Sequence, residues 1–220
     1  MNDTMNAPAP RDSRRARRWR VAALVTALAV AGSGCVVLSQ GHVDGFAARK
    51  TGSLLEVGIL DDTAATNTWR EAPNVTLQVK AAARTTVPND ARYAFLGAVG
   101  TDVWILPQTQ NPNLLWLGWN TQQIPSGFLQ GNAIQWRLVS MTGPGAFHLY
   151  TVDGFGNPTV LFESDNGLPD SVNVPTNTHA HGNWAFSAAG TYKLTFRGSG
   201  TKVGGGVVTD EAVHTFDVKP

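Results

Sequence analysis

Short runs of four to eight residues that alternate in polarity, cut apart by turn residues, recur from residue 54 to the end of this chain. That pattern constrains the fold more than any other feature. Side chains on an extended strand alternate between two faces, so a half-buried strand shows apolar residues at spacing two, not at the three-and-four spacing of a helix. Residues 54–60, 75–79, 103–106, 134–139, 147–152, 179–186, 192–197 and 214–218 read this way. In the run at Tyr192, Leu194 and Phe196 fall on one face while Lys193, Thr195 and Arg197 fall on the other. Between the runs stand Asn89-Asp90, Asn111-Pro112-Asn113, Thr142-Gly143-Pro144-Gly145, Gly156-Asn157-Pro158 and Asn166-Gly167. Glycine supplies positive φ there, proline fixes φ, and Asn and Asp bond their own backbone. The expectation is an all-β fold, an immunoglobulin-like antiparallel β-sandwich in a single domain over residues 35–220. Residues 63–70 and 108–113 are expected to be longer loops, and Gly204-Gly205-Gly206 a hairpin tip.

The first 34 residues read differently. Arg11, Arg14, Arg15, Arg17, Arg18 and Arg20 precede a run over 21–31 that is small and apolar apart from Thr26, too short for a membrane span. This is the pattern of an export signal, and Ser13-Arg14-Arg15 leaves a twin-arginine route open beside the general one. Two cleavage sites compete. Ala29-Val30-Ala31 suits ordinary signal peptidase, whereas Gly32-Ser33-Gly34-Cys35 has the form of a lipoprotein box with Cys35 as lipid acceptor. Cys35 is the only cysteine, so no disulfide forms within the chain. The expected location is the cell surface, membrane-anchored through Cys35 or secreted. No C-terminal membrane helix or sortase-type signal is expected. Residues 35–220 carry 11 Lys and Arg against 14 Asp and Glu, a net of −3. No basic cluster remains outside the signal, which argues against a nucleic-acid partner.

Of the five histidines, three sit in two short segments, Gly41-His42-Val43-Asp44 and His179-Ala180-His181. Spacing two puts His42 with Asp44, and His179 with His181, on one face of a strand. The face carrying Ala180, Trp184 and Phe186 is the natural core face, so the histidines point away from it. Imidazole and carboxylate together suit a first-row transition metal, with zinc, manganese and copper as the candidates. Should the two segments neighbour one another, His42, Asp44, His179 and His181 make a four-ligand site, with Asn183 as an orienting partner. A hydrogen-bonded or solvated His-x-His pair is the bland alternative. Trp119 and Trp69, beside polar loop residues, are candidates for exposure. Trp119 with the 108–113 loop would suit a glycan or protein partner, and a structural wall module with no small ligand is the third reading. Asp61-Asp62, Asp153 and Asp165 offer oxygen to calcium but are also what turns require. His148 is expected to face solvent and His214 to be a satisfied histidine at the core edge. No Gly-x-Ser-x-Gly elbow, His-Glu-x-x-His helix or phosphate-binding loop is present, so the chain is not read as an enzyme.

Longer motifs carry a resemblance. They include Val36-Val37-Leu38-x-x-Gly41-His42-Val43-Asp44, Leu55-x-Val57-x-Ile59-x-Asp61-Asp62 and Tyr93-Ala94-Phe95-Leu96-Gly97. Val103-Trp104-Ile105-Leu106-Pro107-Gln108-Thr109-Gln110 and Leu115-Trp116-Leu117-Gly118-Trp119-Asn120 follow, then Gly143-Pro144-Gly145. His179-Ala180-His181-Gly182-Asn183-Trp184-Ala185-Phe186 and Gly190-Thr191-Tyr192 close the pattern. Over about residues 36–218 the chain resembles the actinobacterial surface-anchored protein domain, also described as the ABC-transporter-associated repeat or choice-of-anchor M domain. The resemblance implies an exported surface module encoded beside a metal-type ABC importer. Its partners would be the importer's substrate-binding protein or related surface proteins, with a captured substrate handed inward. Unlike anchored members, this chain is expected to have one such domain and no C-terminal anchor, with Cys35 the expected means of attachment if it is held at the surface.

Overall fold

The computed structural model describes residue 1 and residues 35–63 and 66–220. Residues 2–34, and with them the export signal and both cleavage sites, lie outside that range. The described part is an all-β sandwich of three sheets. The largest has the spatial order β1 (Val36–Leu38), β5 (Val75–Val79), β16 (Val207–Val218), β15 (Gly190–Thr201), β9 (Ala133–Thr142), β12 (Asp170–Pro175). A second runs β11 (Pro158–Glu163), β10 (Phe147–Val152), β14 (Asn183–Phe186), β7 (Asp102–Leu106), β6 (Arg84–Thr86). The third runs β13 (His179–His181), β8 (Leu115–Gln123), β2 (Gly41–Thr51), β3 (Leu54–Asp61), β4 (Thr68–Arg70).

Three details correct the expectation. The sheets are mixed rather than purely antiparallel, because β5 runs parallel to both β1 and β16, and β2 runs parallel to β8. Residues 63–70 are not all loop, since Thr68–Arg70 adds β4 to the edge of β3. The run 179–186, read as one strand, breaks at Gly182: β13 pairs with β8 in one sheet while β14 pairs with β10 and β7 in another. Gly182 makes the crossing possible. A Cβ there would lie 3.0 Å from Leu149, 3.1 Å from the Tyr150 carbonyl and 3.2 Å from Trp119.

The core lies where both five-stranded sheets face the six-stranded one. Trp136 of β9 is its centre, fully buried, stacked on Phe46 of β2 at 4.3 Å between ring centroids and edge-on to Phe162 of β11 at 4.8 Å. Trp184 and Phe186 of β14 pack against Phe216 of β16 at 5.8 and 5.1 Å. Interleaved rings of this kind combine a large buried area with preferred tilted geometries. Near the start of β15, the Tyr192 hydroxyl donates to the Ala188 carbonyl at 2.9 Å. This is the tyrosine corner of immunoglobulin-like sandwiches. Gly143 lies so close to that ring that any Cβ would overlap it, which explains the Gly143-Pro144-Gly145 turn.

Candidate metal centre

β8 brings the two histidine segments together. It has β2 on one side, parallel, and β13 on the other, antiparallel. The register sets Asp44 opposite Gly118 and Gly118 opposite His181; His42 lies opposite Trp116, and His179 opposite Asn120. With a side-chain period of two, His42, Asp44, Trp116, Gly118, Asn120, His179 and His181 all project from one face. Gly118 occupies the centre of this lattice and contributes no side chain. A Cβ on it would stand 2.7 Å from Asp44 Oδ1, 2.8 Å from the Ala180 carbonyl and 3.1 Å from His181 Cε1. The glycine is what lets the donors converge.

Local sequence supports that placement. Gly41 holds φ at +90°, a conformation strained for L side chains, as β2 begins just ahead of His42. After Asp44 the pairing of β2 slips against both neighbours. This is a bulge at Gly45, and it turns Phe46 into the core while Asp44 stays on the site face.

The three imidazoles surround a common point, with every pair of ring centroids 5.0 Å apart. His42 Nε2 and His179 Nε2 face one another at 3.1 Å. His179 Nε2 stands 3.0 Å from Asp44 Oδ1, and His42 Nε2 stands 3.7 Å from the same oxygen. The 3.0 Å approach is close but outside hydrogen-bonding geometry, so buried Asp44 Oδ1 makes no hydrogen bond. Neither ring nitrogen of His181 has a hydrogen-bond partner either. Buried polar atoms are nearly always satisfied. Here a carboxylate oxygen and an imidazole, both without partners, are aimed into one space.

The surrounding contacts orient the donors. Asp62 Oδ2 accepts from His42 Nδ1 at 2.7 Å, which leaves the Nε2 lone pair for the site. Asn120 Nδ2 donates to Asp44 Oδ2 at 2.9 Å, which leaves Oδ1 as the free oxygen. Trp116 lies flat on His181, 3.8 Å between centroids at an interplanar angle of 6°, and its indole N–H donates to the Gln108 carbonyl at 2.8 Å. Burial pushes the Asp44 carboxyl above its ordinary pKa, against the opposing pull of Asn120, His179 and His42. His181 is pushed down to about 4, first by burial and then by the neighbouring His42 and His179, while the Leu117 backbone opposes weakly from outside hydrogen-bonding geometry. A cation would relieve both groups.

The four proposed ligands share one face: His42, His179 and His181 cluster within 4.8 Å, and Asp44 lies against His42 and His179. Asn183 does not join them. It starts β14 in the other sheet, where Oδ1 accepts from the Gln108 backbone at 2.9 Å, and it reaches His181 only through Gln108 and Trp116. Trp119 is buried against Trp136, not exposed, because positions 115, 117 and 119 share the core face of β8. That removes the aromatic platform from the glycan reading. Trp69 is half-buried beneath the Arg49 guanidinium at 4.0 Å. His148 is also buried, contrary to expectation. It lies edge-on to Phe95, and its Nε2 pairs with Asp165 at 3.1 Å. His214 is fully buried with Nδ1 3.2 Å from the Ala212 carbonyl, but its Nε2 is unsatisfied. The calcium candidates Asp61 and Asp153 are occupied by protein donors, Arg70 and Thr63 for the first, Phe155 and Asn157 for the second. Cys35 is exposed beside Thr76.

Sequence reasoning missed Asp62, Trp116, Gly118 and Asn120 as members of the site. The last three stand at spacing two, the same signal that marked His42 with Asp44. Among the described residues, no helix is long and apolar enough to cross a membrane. Compared with family models, curated proteins and solved structures, the chain matches none of them.

Proposed function

We propose that this chain is an exported surface module that captures a transition metal ion through His42, Asp44, His179 and His181. It would act beside a metal-type ABC importer, with the importer's substrate-binding protein as the receiver. The observation that carries the reading is the cluster of three imidazoles with ligand atoms within 4.8 Å of one another and Asp44 Oδ1 beside two of them, where Asp44 Oδ1 and both His181 nitrogens are buried atoms that no protein group satisfies. Neutral imidazole is the ligating form, and burial keeps His181 neutral well below physiological pH. An ion would also compensate the buried charge of Asp44, whose isolation in the interior is otherwise costly.

The site has an open side suited to exchange. The His179 side chain is 32% exposed and that of His42 18%, whereas Asp44 is fully buried. An ion would meet His179 first and settle against Asp44 beneath it, and release would reverse that order. The partner assignment and the surface location rest on the family resemblance and on the signal-like N-terminus, with attachment through Cys35.

Titration of the metal-stripped protein with zinc, manganese and copper near pH 7 tests the reading. The double variant His179→Ala/His181→Ala should lose binding yet keep its strand circular dichroism, because β13 is a three-residue edge strand whose two histidines point away from the core. Equal affinity in the wild type and the double variant would contradict the reading.

A further inference from the structure

Resting on the metal-capture reading, we infer that the ion this site is built for is zinc, held by four protein donors: three imidazole nitrogens and the single free oxygen of Asp44. The number of available donors limits the ion. Asp44 is restricted to one ligating oxygen, because Oδ2 is held by the Asn120 amide at 2.9 Å. Asp62, the other nearby carboxylate, accepts from His42 Nδ1 through Oδ2 at 2.7 Å, while its Oδ1 has no partner. Asn120 is itself engaged on both sides, donating to Gln122 at 3.2 Å while its Oδ1 accepts from the Gln122 backbone at 2.8 Å. Trp116 covers one whole face of His181, and the Ala180 carbonyl crowds the Cβ side of Gly118. Among the described residues the nearby carboxylate oxygen that stays unpartnered is Asp62 Oδ1, and Asp62 sits on the Nδ1 side of His42, whereas His42 Nε2 faces His179.

The spacing is consistent with that count. An ion about 2.0–2.1 Å from each of four tetrahedral donors sets those donors roughly 3.3 Å apart. The separations among the His42, His179 and Asp44 donors, 3.0, 3.1 and 3.7 Å, bracket that edge, and a His181 nitrogen lies within 4.8 Å of those of His42 and His179. Chemistry then separates the candidates. Manganese favours six ligands rich in oxygen, and this set is nitrogen-rich with one oxygen. Copper(II) favours a tetragonal plane, whereas the three ring centroids form a triangle of 5.0 Å sides with the rings mutually tilted, which is not a square arrangement. Zinc has no ligand-field preference and takes four N and O donors readily. Four protein ligands also leave no open position, which suits holding an ion rather than activating a water on it.

Cobalt(II) provides the direct test, because its visible absorption is intense in a four-coordinate tetrahedral field and weak in a six-coordinate one. The stripped protein is titrated with cobalt(II), then with zinc, and separately with manganese under chelator competition. The expected result is an intense visible band that saturates at one equivalent and is discharged by one equivalent of zinc. Zinc should bind at least ~100-fold tighter than manganese. In Asp44→Ala the band should change shape and the zinc affinity fall, while the three imidazoles still bind. A weak six-coordinate cobalt spectrum, or manganese binding within tenfold of zinc, would overturn the zinc assignment and leave metal capture intact. Absence of binding by every metal would overturn the capture reading itself.

Discussion

Gly118→Ala is the smallest change that tests how the site is made. The added methyl would sit 2.7 Å from Asp44 Oδ1 and 2.8 Å from the Ala180 carbonyl, both nearer than real Cβ atoms approach, and 3.1 Å from His181 Cε1. The Ala180 carbonyl belongs to the paired backbone of β13, so it cannot move without loosening the strand that carries both histidines. Asp44 must therefore rotate, and its free oxygen leaves the ligand position. Overpacking of this kind costs about 1–3 kcal/mol of stability. The loss in metal affinity should be larger. Disturbing the partners of ligands already costs about 10–100-fold, and displacing a ligand should reach at least the upper figure, ~100-fold or about 2.7 kcal/mol. Chelator-competition titration reads the affinity, and urea unfolding of the metal-free protein reads the stability. Gly154→Ala is the control, because a Cβ there meets nothing within 4 Å and its φ is not positive. A Gly118→Ala protein that folds and binds metal as tightly as the wild type would refute the reasoning, since the space above Gly118 would then not be the site.

Other consequences can be checked separately. Asp62→Ala should weaken metal binding by about 10–100-fold without removing a ligand, because His42 loses the carboxylate that fixes its tautomer; calorimetry decides. Saturating metal at a thousandfold excess over Kd should stabilise the protein by about 4 kcal/mol, seen as a higher Tm that chelator reverses. Burial pushes His214 down to about 4, below the 6.5 of an unfolded histidine, so between those values the unfolded chain binds the extra proton. Metal-free stability should therefore fall as pH drops from 6.5 toward 4, by up to about 3 kcal/mol from this residue, and His214→Gln should flatten the slope. Trp136→Ala should cost about 3–5 kcal/mol in urea unfolding, since its fully buried ring touches side chains from all three sheets.

The strands were legible where one face is apolar and the other polar. The expected limits at 75–79 and 147–152 match β5 and β10 to the residue. β8 and β2 were harder to recognise, because both faces of their central segments are covered: Leu117, Gly118, Trp119 and Asn120 are all buried, so polarity does not alternate. The same cause misplaced His148. Its neighbours Phe147 and Leu149 do face the core, but the opposite face of β10 is roofed by a second cluster around Tyr93, Phe95 and Tyr150. A two-sided strand buries its polar residues too.

For the site, residue types and faces were legible, but adjacency was not. His42 and His179 are 137 residues apart, and they meet only because both of their strands pair with β8. Spacing within a segment carries no information about which strand lies beside it. Asn183 was misassigned for a related reason. Parity alone puts it on the histidine face, yet the chain changes sheets at Gly182 and takes Asn183 with it.

The central claim is that His42, Asp44, His179 and His181 hold one metal ion. Anomalous diffraction from crystals of the zinc-loaded protein, collected above and below the zinc edge, tests it most directly. The account predicts one strong peak above Gly118, within bonding distance of His42 Nε2, His179 Nε2, a ring nitrogen of His181 and Asp44 Oδ1. A peak elsewhere, such as beside His148 and Asp165, or no peak from protein that has bound stoichiometric zinc, would contradict it.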